Sequence, residues 1–243
     1  MVSRATSHPS TSIPHPVPIN VSNSSLRLLP GDPLTDGPAI LAQQIAAFSN
    51  PHEPFFFVLF PETEEREKAV ERLVDNWVRD EKAKYVKVAD GHGTLISAAK
   101  WLINTEPLSE EQKKQRINVD WHPDQDSNEW AEYLINWIHQ HQINRTKGEP
   151  CVILDILTTH PSYQRLGAGT LLMQYGTAIA DSLGLPAYIE GTVIAKHLYE
   201  SHGFKAVPDR YIEVDVPEKW KEREERPKIE FFFYERPRSR GEL

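Results

Sequence analysis

The sequence has little cysteine, no long apolar run and no excess of positive charge. Its one cysteine, Cys151, cannot form an internal disulfide, so nothing in the sequence indicates an oxidising compartment. No stretch approaches the roughly 20 apolar residues of a membrane-spanning helix, so we expect no membrane association. The formal net charge of −8 argues against a nucleic-acid partner, because phosphate binding needs a basic surface. A partner that carries an amine is more compatible with this net negative charge.

Several ligand-binding motifs are also missing. The chain contains neither the Gly-x-Gly-x-x-Gly dinucleotide fingerprint nor the Gly-x-x-x-x-Gly-Lys-Ser/Thr phosphate loop. It has no His-Glu-x-x-His motif, and its lone cysteine has no second cysteine to share a metal with. We therefore predict that the protein binds no metal.

Composition changes along the chain and suggests where the folded domain lies. The segment up to Leu26 is rich in Ser, Thr and Pro and contains no acidic residue. We predict a disordered tail at 1–25, a single domain at 26–237 with a helical insertion at about 104–149, and a C-terminal tail at 238–243. We expect a cytoplasmic protein. A nuclear location stays open, and the N-terminal composition leaves a mitochondrial transit peptide as a weaker alternative.

Hydrophobic periodicity predicts an alternation of helices and strands in this domain. The predicted strands cover residues 26–29, 54–61, 85–89, 94–103, 152–158, 187–190, 211–216 and 229–234. Six helices are predicted. The first is capped by Thr35 or Asp36, the second begins near Thr63, and the third is capped by Asp126. The other three cover residues 170–183, 193–202 and about 219–225. Strands before, between and after helices imply a mixed sheet in one α/β (α+β) domain.

The most informative stretch is residues 154–169, where a loop of small residues joins a predicted strand to a predicted helix. Gly167 and Gly169 allow backbone N–H groups to approach a ligand closely. The positive end of the following helix favours an anion, and Arg165 adds positive charge nearby. The arrangement predicts a pyrophosphate ligand, although a lone Gly-x-Gly also occurs in ordinary tight turns.

Two motifs then resemble a known family. Gln164-Arg165-Leu166-Gly167-Ala168-Gly169 resembles the Gln/Arg-x-x-Gly-x-Gly/Ala signature of the GNAT superfamily of N-acetyltransferases. About 30 residues later, Leu198-Tyr199-Glu200-Ser201-His202-Gly203-Phe204 resembles the Leu-Tyr-x-x-x-Gly-Phe segment of the same superfamily. The two motifs in this order are far more specific than either alone. The similarity covers residues 151–204. The sequence around Asp155 is similar to that of fungal members whose substrate is unknown.

The resemblance implies a fold and a cofactor. The fold is a mixed central sheet with helices on both faces, splayed open between its fourth and fifth strands, here 152–158 and 187–190. Acetyl-CoA would lie in the splay, and the N–H of Leu157 would polarise the thioester carbonyl. The residues implied to contact the cofactor are Leu157, Thr158, Thr159, Gln164, Arg165, Leu166, Gly167, Ala168, Gly169 and Thr170. Thr192 stands where many relatives carry a cofactor-binding Asn, so that contact is weaker or absent here.

Three side chains are candidates for moving protons. Tyr199, protonated at neutral pH, is the candidate acid for the departing thiolate. Asp155 is a candidate base, because a charge within an apolar strand needs a partner or a role, and simple alternation places it on the face of Leu157. Glu190, at the end of the adjacent strand, is a second candidate base. A structural role stays open for each of them, and a chain of water molecules would make a base dispensable.

We therefore predict an acetyl-CoA-dependent N-acetyltransferase. The acceptor would be a small-molecule amine or a peptide, attacking directly in a ternary complex, because Cys151 lies too early in its strand for a covalent relay. The alternatives are a non-catalytic acyl-CoA-binding module of the same fold, and an acyltransferase acting on hydroxyls or proteins. The sequence leaves both a monomer and a homodimer open.

Overall fold

The computed structural model describes residues 26–221 and 223–239 of the 243-residue chain. The predicted tail at 1–25 and residues 240–243 of the predicted C-terminal tail lie outside the described residues. No helix in the described ranges is both long and apolar enough to cross a membrane. The same ranges contain no group of three or more His, Cys, Asp or Glu side chains arranged to hold a metal ion.

Helices and strands alternate along the chain. The strands are β1 (Arg27–Pro30), β2 (Ala83–Ala89), β3 (Leu95–Asn104), β4 (Cys151–Thr159), β5 (Ala187–Gly191), β6 (Lys205–Ala206), β7 (Ile212–Glu213) and β8 (Glu230–Arg236). The helices are α1 (Pro33–Ser49), α2 (Pro54–Leu59), α3 (Arg66–Arg79), α4 (Glu110–Lys114), α5 (Gln125–Thr146), α6 (Ala168–Leu183), α7 (Lys196–Glu200) and α8 (Glu218–Lys221). Short 3₁₀ turns at Pro161–Tyr163 and Val193–Ala195 precede α6 and α7.

These strands form one mixed sheet. The order is β1-β2-β3-β4-β5-β8-β6, and β7 pairs with β8. The pairing of β4 with β5 is parallel, with α6 as the connection, and the other described pairings are antiparallel. The prediction of a mixed α/β sheet is confirmed.

The sheet opens between its fourth and fifth strands. Hydrogen bonding joins β4 to β5 only where Val152–Leu154 face Ala187–Ile189. Beyond those residues β4 runs on to Thr159 and β5 to Gly191 without pairing to each other. The predicted splay is therefore present.

Helices cover both faces of the sheet. On one face, α6 lies so close to β3 that a Cβ on Gly176 would meet the Trp101 ring at 2.1 Å, so only glycine fits there. On the other face, α1 and α3 bury Leu41 and Leu73 against Tyr85 of β2. Burial of these two apolar layers stabilises the sheet from both sides.

The Phe-rich run at 54–61 was predicted to be a strand, and that prediction is wrong. Residues Pro54–Leu59 form α2, whose N-terminus is capped by Glu53: the Glu53 carboxylate accepts a hydrogen bond of 2.7 Å from the Phe56 N–H. Pro54 suits the first helical turn, because its missing N–H needs no partner there. A short apolar run carries no period that separates a strand from a buried helix.

Four smaller predictions also need correction. The cap of α1 is Asp32 rather than Thr35 or Asp36, because the Asp32 carboxylate accepts from the N–H groups of Leu34 and Thr35. The cap of α5 is Asp124, which accepts from Ser127 N–H, because Asp126 instead binds Arg223 and Arg226. The predicted strand at 211–216 shrinks to β7, since it pairs with β8 over only Ile212–Glu213. The predicted helix at 193–202 divides into a 3₁₀ turn and α7.

The insertion between β3 and β4 packs against the sheet rather than extending into solvent. Its long helix α5 buries Trp130 and Leu134 against Phe231 of β8. The segment before α5 holds α2 in place, because Trp121 Nε1 and His122 Nε2 both lie within hydrogen-bonding distance of the Val58 carbonyl, at 3.2 and 3.0 Å. The insertion and α2 thus form a roof over the open part of the sheet.

Candidate active site

One large cleft, of about 1020 Å³, runs from the splay to the roof formed by α2 and the insertion. Its splay end is lined by β4, β5, the loop before α6, and α7. Its other end, which we name the aromatic half, is lined by Phe48, Phe55, Phe56, Phe60, Tyr85 and Trp121. The cleft therefore joins the predicted cofactor site to a largely apolar chamber.

A β-bulge in β4 lies where the two strands part. In the pairing of β3 with β4, Lys100 faces Ile156 whereas the next residue, Trp101, faces Leu154, so Asp155 is the extra residue. The prediction that Asp155 shares a face with Leu157 is wrong for this reason. Asp155 lies beside Lys100, while Leu157 packs against the core on the α6 side.

The bulge also reverses the direction of the backbone amides. The Val152 N–H donates to Pro186 on the β5 side, whereas the His160 N–H donates to Ile96 of β3. Two even-numbered residues of a regular strand would point the same way, so the extra residue accounts for the reversal. Alternation then turns the N–H groups of Leu157 and Thr159 away from β3, toward the splay.

The loop before α6 has the geometry of an anion site. Gly167 is the N-cap of α6 at φ 95°, and no side chain caps the first turn. A Cβ built on Gly167 would meet no atom of the described residues within 4 Å, so the space in front of the helix is open. Arg165, also at positive φ, makes no ion pair within the described ranges. Free N–H groups and a free guanidinium are what a pyrophosphate needs.

Tyr199 is brought to the splay by close packing of α7. A Cβ on Gly169 would lie 3.1 Å from Leu198, and one on Gly191 would lie 3.2 Å from the Tyr199 hydroxyl. The ring packs edge-on against Tyr234 at 5.0 Å, and the hydroxyl has no hydrogen-bond partner in the described residues. Burial raises the pKa of Tyr199 well above its usual value, so the phenol stays protonated.

The remaining predicted cofactor contacts occupy the same end of the cleft. Gln164, Ala168, Gly169 and Thr170 line it, as does Thr192, while Leu166 is exposed on the loop beside them. The Thr158 side chain points to α1, where its hydroxyl lies 2.7 Å from the Gln43 amide, so it is not free to bind a ligand. The Gln164 amide donates to the Thr159 carbonyl at 3.5 Å.

Asp155 has a partner that the sequence does not reveal. Its carboxylate lies 2.9 Å from Lys100 Nζ, with the two side chains 40% and 19% exposed. Burial disfavours the charged form of Lys100, but the charges of Asp155 and Tyr85 outweigh it and raise the pKa of Lys100. The charge within the apolar strand is thus compensated by an ion pair across the bulge.

Glu190 is the more deeply buried of the two carboxylates. One oxygen lies 3.0 Å from His141 Nδ1 and the other accepts from Gln142 Nε2 at 3.2 Å, both from α5 of the insertion. Burial raises the pKa of Glu190 despite these contacts. The His141 ring stacks on Trp137, with centroids 5.6 Å apart. No local pattern links His141 to Glu190, because 49 residues separate them in the chain.

The ion pair between Asp155 and Lys100 predicts that replacing Asp155 destabilises the fold. We expect Asp155→Asn to lower the free energy of unfolding by about 1–3 kcal/mol, because it leaves the Lys100 ammonium without a charged partner. Denaturant titration measures this loss. Adding Lys100→Met to the same chain should recover most of it, since removing both charges avoids the uncompensated one. A stable Asp155→Asn that transfers acetyl slowly, with the defect shrinking at high pH, would instead make Asp155 the base.

Comparison with known proteins agrees with this geometry. The model of the acetyltransferase (GNAT) family matches residues 45–204, which include the splay, the loop before α6 and α7. The chain belongs to the GNAT family of acetyltransferases. No curated protein matches this acetyltransferase in sequence.

Solved acetyltransferases share its fold at low sequence identity. A structure from Corynebacterium glutamicum, described as histone acetyltransferase HPA2 and related acetyltransferase, has 17% identity and a TM-score of 0.52, covering 90% of this chain and 99% of its own. A variant of agmatine N-acetyltransferase in its apo form has 12% identity and a TM-score of 0.56, covering 87% and 99%. A Salmonella typhimurium structure with its cofactor acetyl-CoA has 14% identity and a TM-score of 0.50, covering 90% and 97%. At these identities the likeness shows the fold alone.

Proposed function

We propose that this GNAT protein transfers the acetyl group of acetyl-CoA to an amine. The observation that carries the proposal is one continuous cleft that contains three elements. These are the unpaired edge of β4 at Leu157, the uncapped start of α6 at Gly167, and the buried carboxylate of Glu190. The first two suit a thioester and a pyrophosphate, and the third suits an amine that must lose a proton.

On this proposal the cofactor binds mainly through the main chain. The N–H groups of Leu157 and Thr159 would pair with the pantetheine, and Leu157 would polarise the thioester carbonyl. The first turn of α6 and Arg165 would hold the pyrophosphate. The Thr192 side chain makes no capping bond and stays available to the ligand.

Glu190 and Tyr199 divide the proton chemistry between them. The amine nitrogen bonds to the acetyl carbon, and Glu190 takes the proton that the nitrogen must lose. As the carbon–sulfur bond breaks, the Tyr199 hydroxyl protonates the departing thiolate. Solvent then returns a proton to the phenolate and accepts the proton held by Glu190, which restores both groups. The products are an amide and coenzyme A with its thiol protonated. Asp155, paired with Lys100, contributes charge balance rather than a proton.

Thiol release from acetyl-CoA tests the function directly. The rate should be low without an acceptor and rise with an amine, and mass spectrometry should find the acetyl group on nitrogen. Tight coenzyme A binding with no amine-dependent thiol release would instead favour an acyl-CoA-binding module. An acetyl group found on a hydroxyl, or only on protein, would favour an acyltransferase that acts on hydroxyls or proteins.

The pyrophosphate site gives a prediction with a matched control. Gly167→Ala should weaken coenzyme A binding at least tenfold, about 1.4 kcal/mol, because the new Cβ enters the open space before α6. Gly184→Ala is the control at the other end of α6, because Gly184 also has a positive φ, 64°, and is equally open. Calorimetry should find normal affinity in the Gly184 variant. Equal affinities in the two variants would remove Gly167 from the site.

A further inference from the structure

The aromatic half of the cleft is a wall of mutually packed rings. Phe48 of α1 stacks on Phe56 of α2 with centroids 4.6 Å apart, and Phe56 lies 5.3 Å from Phe60. Trp121 of the insertion closes the same wall and is anchored to the Val58 carbonyl. An acceptor that enters beside Glu190 would lay whatever group it carries against these rings, which favour a flat apolar group.

The arginine in this wall already has a carboxylate partner within the protein. Arg72 binds the Glu64 carboxylate with two nitrogens, at 2.6 and 3.1 Å, and the Leu59 carbonyl at 2.7 Å. Its guanidinium also stacks 4.0 Å from the Trp121 ring. Lys100, the other cation of this wall, is held by Asp155. Both cations therefore already have a carboxylate of the protein as their charged partner.

The acids of the aromatic half are engaged as well. Glu53 caps α2, and burial raises its pKa, while Asp80 accepts from the Lys82 N–H at 3.1 Å. Burial lowers the pKa of His139, which keeps it neutral, and Glu230 is exposed on β8 at the mouth of the cleft. A second positive charge on the acceptor would find no buried carboxylate in the described residues that lacks a hydrogen-bond partner.

One buried polar atom of the cleft is left without a partner. Gln44 of α1 is 2% exposed and lines the cleft one helical turn from Phe48, yet its Oε1 makes no hydrogen bond in the described residues. An unpaired buried amide oxygen costs free energy that a donor on the ligand would recover once the Gln44 amide turns toward it. Gln44 thus offers a hydrogen-bond acceptor among the aromatic rings of the cleft.

From these observations we propose that the acceptor is a monoamine with an aromatic group that carries one hydrogen-bond donor. This inference rests on the proposed acetyl transfer. The amine would reach Glu190, the ring would pack against the aromatic half, and the donor would bind Gln44 Oε1. Polyamines and amino acids would be poor acceptors, because one adds a second ammonium and the other a carboxylate, and the opposite charges of the aromatic half already have partners within the protein.

A matched series of amines tests this with purified enzyme and acetyl-CoA. Tyramine should exceed ethylamine in kcat/KM by about 10²-fold or more, because a buried group is worth roughly 10–200-fold for even one methylene. It should exceed phenylethylamine, which lacks the hydroxyl, by about 3- to 10-fold, the value of one hydrogen bond. Spermidine and tyrosine should both fall well below tyramine.

Gln44→Leu connects the preference to its residue. Leucine fills similar space without a polar atom, so the ratio of tyramine to phenylethylamine rates should collapse toward one. Gln174→Leu makes the same change at an exposed position of α6 outside the cleft and should preserve the ratio. A ratio that survives in Gln44→Leu would overturn the role of Gln44.

Binding separates this inference from the proposed function. Tyramine titrated into enzyme saturated with coenzyme A should give a calorimetric signal that spermidine does not. If tyramine binds and is never acetylated, the site stands and the proposed transfer falls. If spermidine or tyrosine is the best acceptor, transfer stands and the aromatic monoamine is wrong. If no amine of the series binds or reacts, the inference is overturned.

Discussion

Replacing Tyr199 with phenylalanine should slow acetyl transfer by about 10²- to 10⁴-fold, the usual cost of losing a general acid. The substitution removes only the hydroxyl, which lines the cleft and has no partner in the described residues. Packing against Tyr234 and coenzyme A affinity should therefore persist. The rate must be measured in a single turnover with a competent amine, because product release limits many enzymes and would hide the defect.

Tyr234→Phe is the control for this experiment. Tyr234 contacts the Tyr199 ring and loses the same atom on substitution, but its hydroxyl donates to the Thr192 carbonyl at 3.3 Å rather than lining the cleft. Its rate should stay within a few-fold of wild type. A Tyr199→Phe enzyme that transfers as fast as Tyr234→Phe would show that Tyr199 only packs and that another group supplies the proton.

Glu190→Gln should also cost about 10²-fold or more in the transfer step, because the amide keeps the shape but cannot accept the proton. The effect should depend on pH. Burial raises the pKa of Glu190, so its carboxylate is lost at a higher pH than that of an exposed glutamate. The wild-type rate should therefore fall as pH decreases through that raised pKa, and the Gln variant should lack this acid limb.

Two further variants test how Glu190 is held. His141→Phe retains the aromatic ring that stacks on Trp137 but removes Nδ1, so it should move the acid limb and slow transfer. Glu235→Gln disturbs another acid that binds α5, through Arg145, but lies outside the cleft, and it should leave both properties unchanged. An acid limb that persists in Glu190→Gln would assign it to another group, such as the titrating amine.

Local patterns in the sequence predicted most of the fold. Strong periodicity located α3 and α6, and the spacing of two motifs located the splay and the loop before α6. The strand predicted for the Phe-rich run was wrong because the run has too few apolar residues to show a period. The cap from Glu53 and packing under the insertion favour a helix there instead.

The site depended on contacts that no local pattern contains. Lys100 lies far from Asp155 in the chain and meets it only through the pairing of β3 with β4. His141 and Gln142 reach Glu190 because the insertion folds back over β5. The sequence marks both Asp155 and Glu190 as candidate bases. Only their tertiary partners show that Asp155 is neutralised by an ion pair whereas Glu190 is buried beside α5.

The bulge at Asp155 has a consequence for how this protein tolerates sequence change. The groups proposed to meet the thioester are main-chain amides, which alanine substitutions do not remove. An alanine scan of β4 would therefore not reveal their role. A change of chain length acts differently. Deleting Asp155 would restore simple alternation and force one half of β4 to turn its amides over relative to the other. The edge proposed to meet the cofactor is therefore encoded by the number of residues in the strand, and substitutions that keep both the fold and that number preserve it.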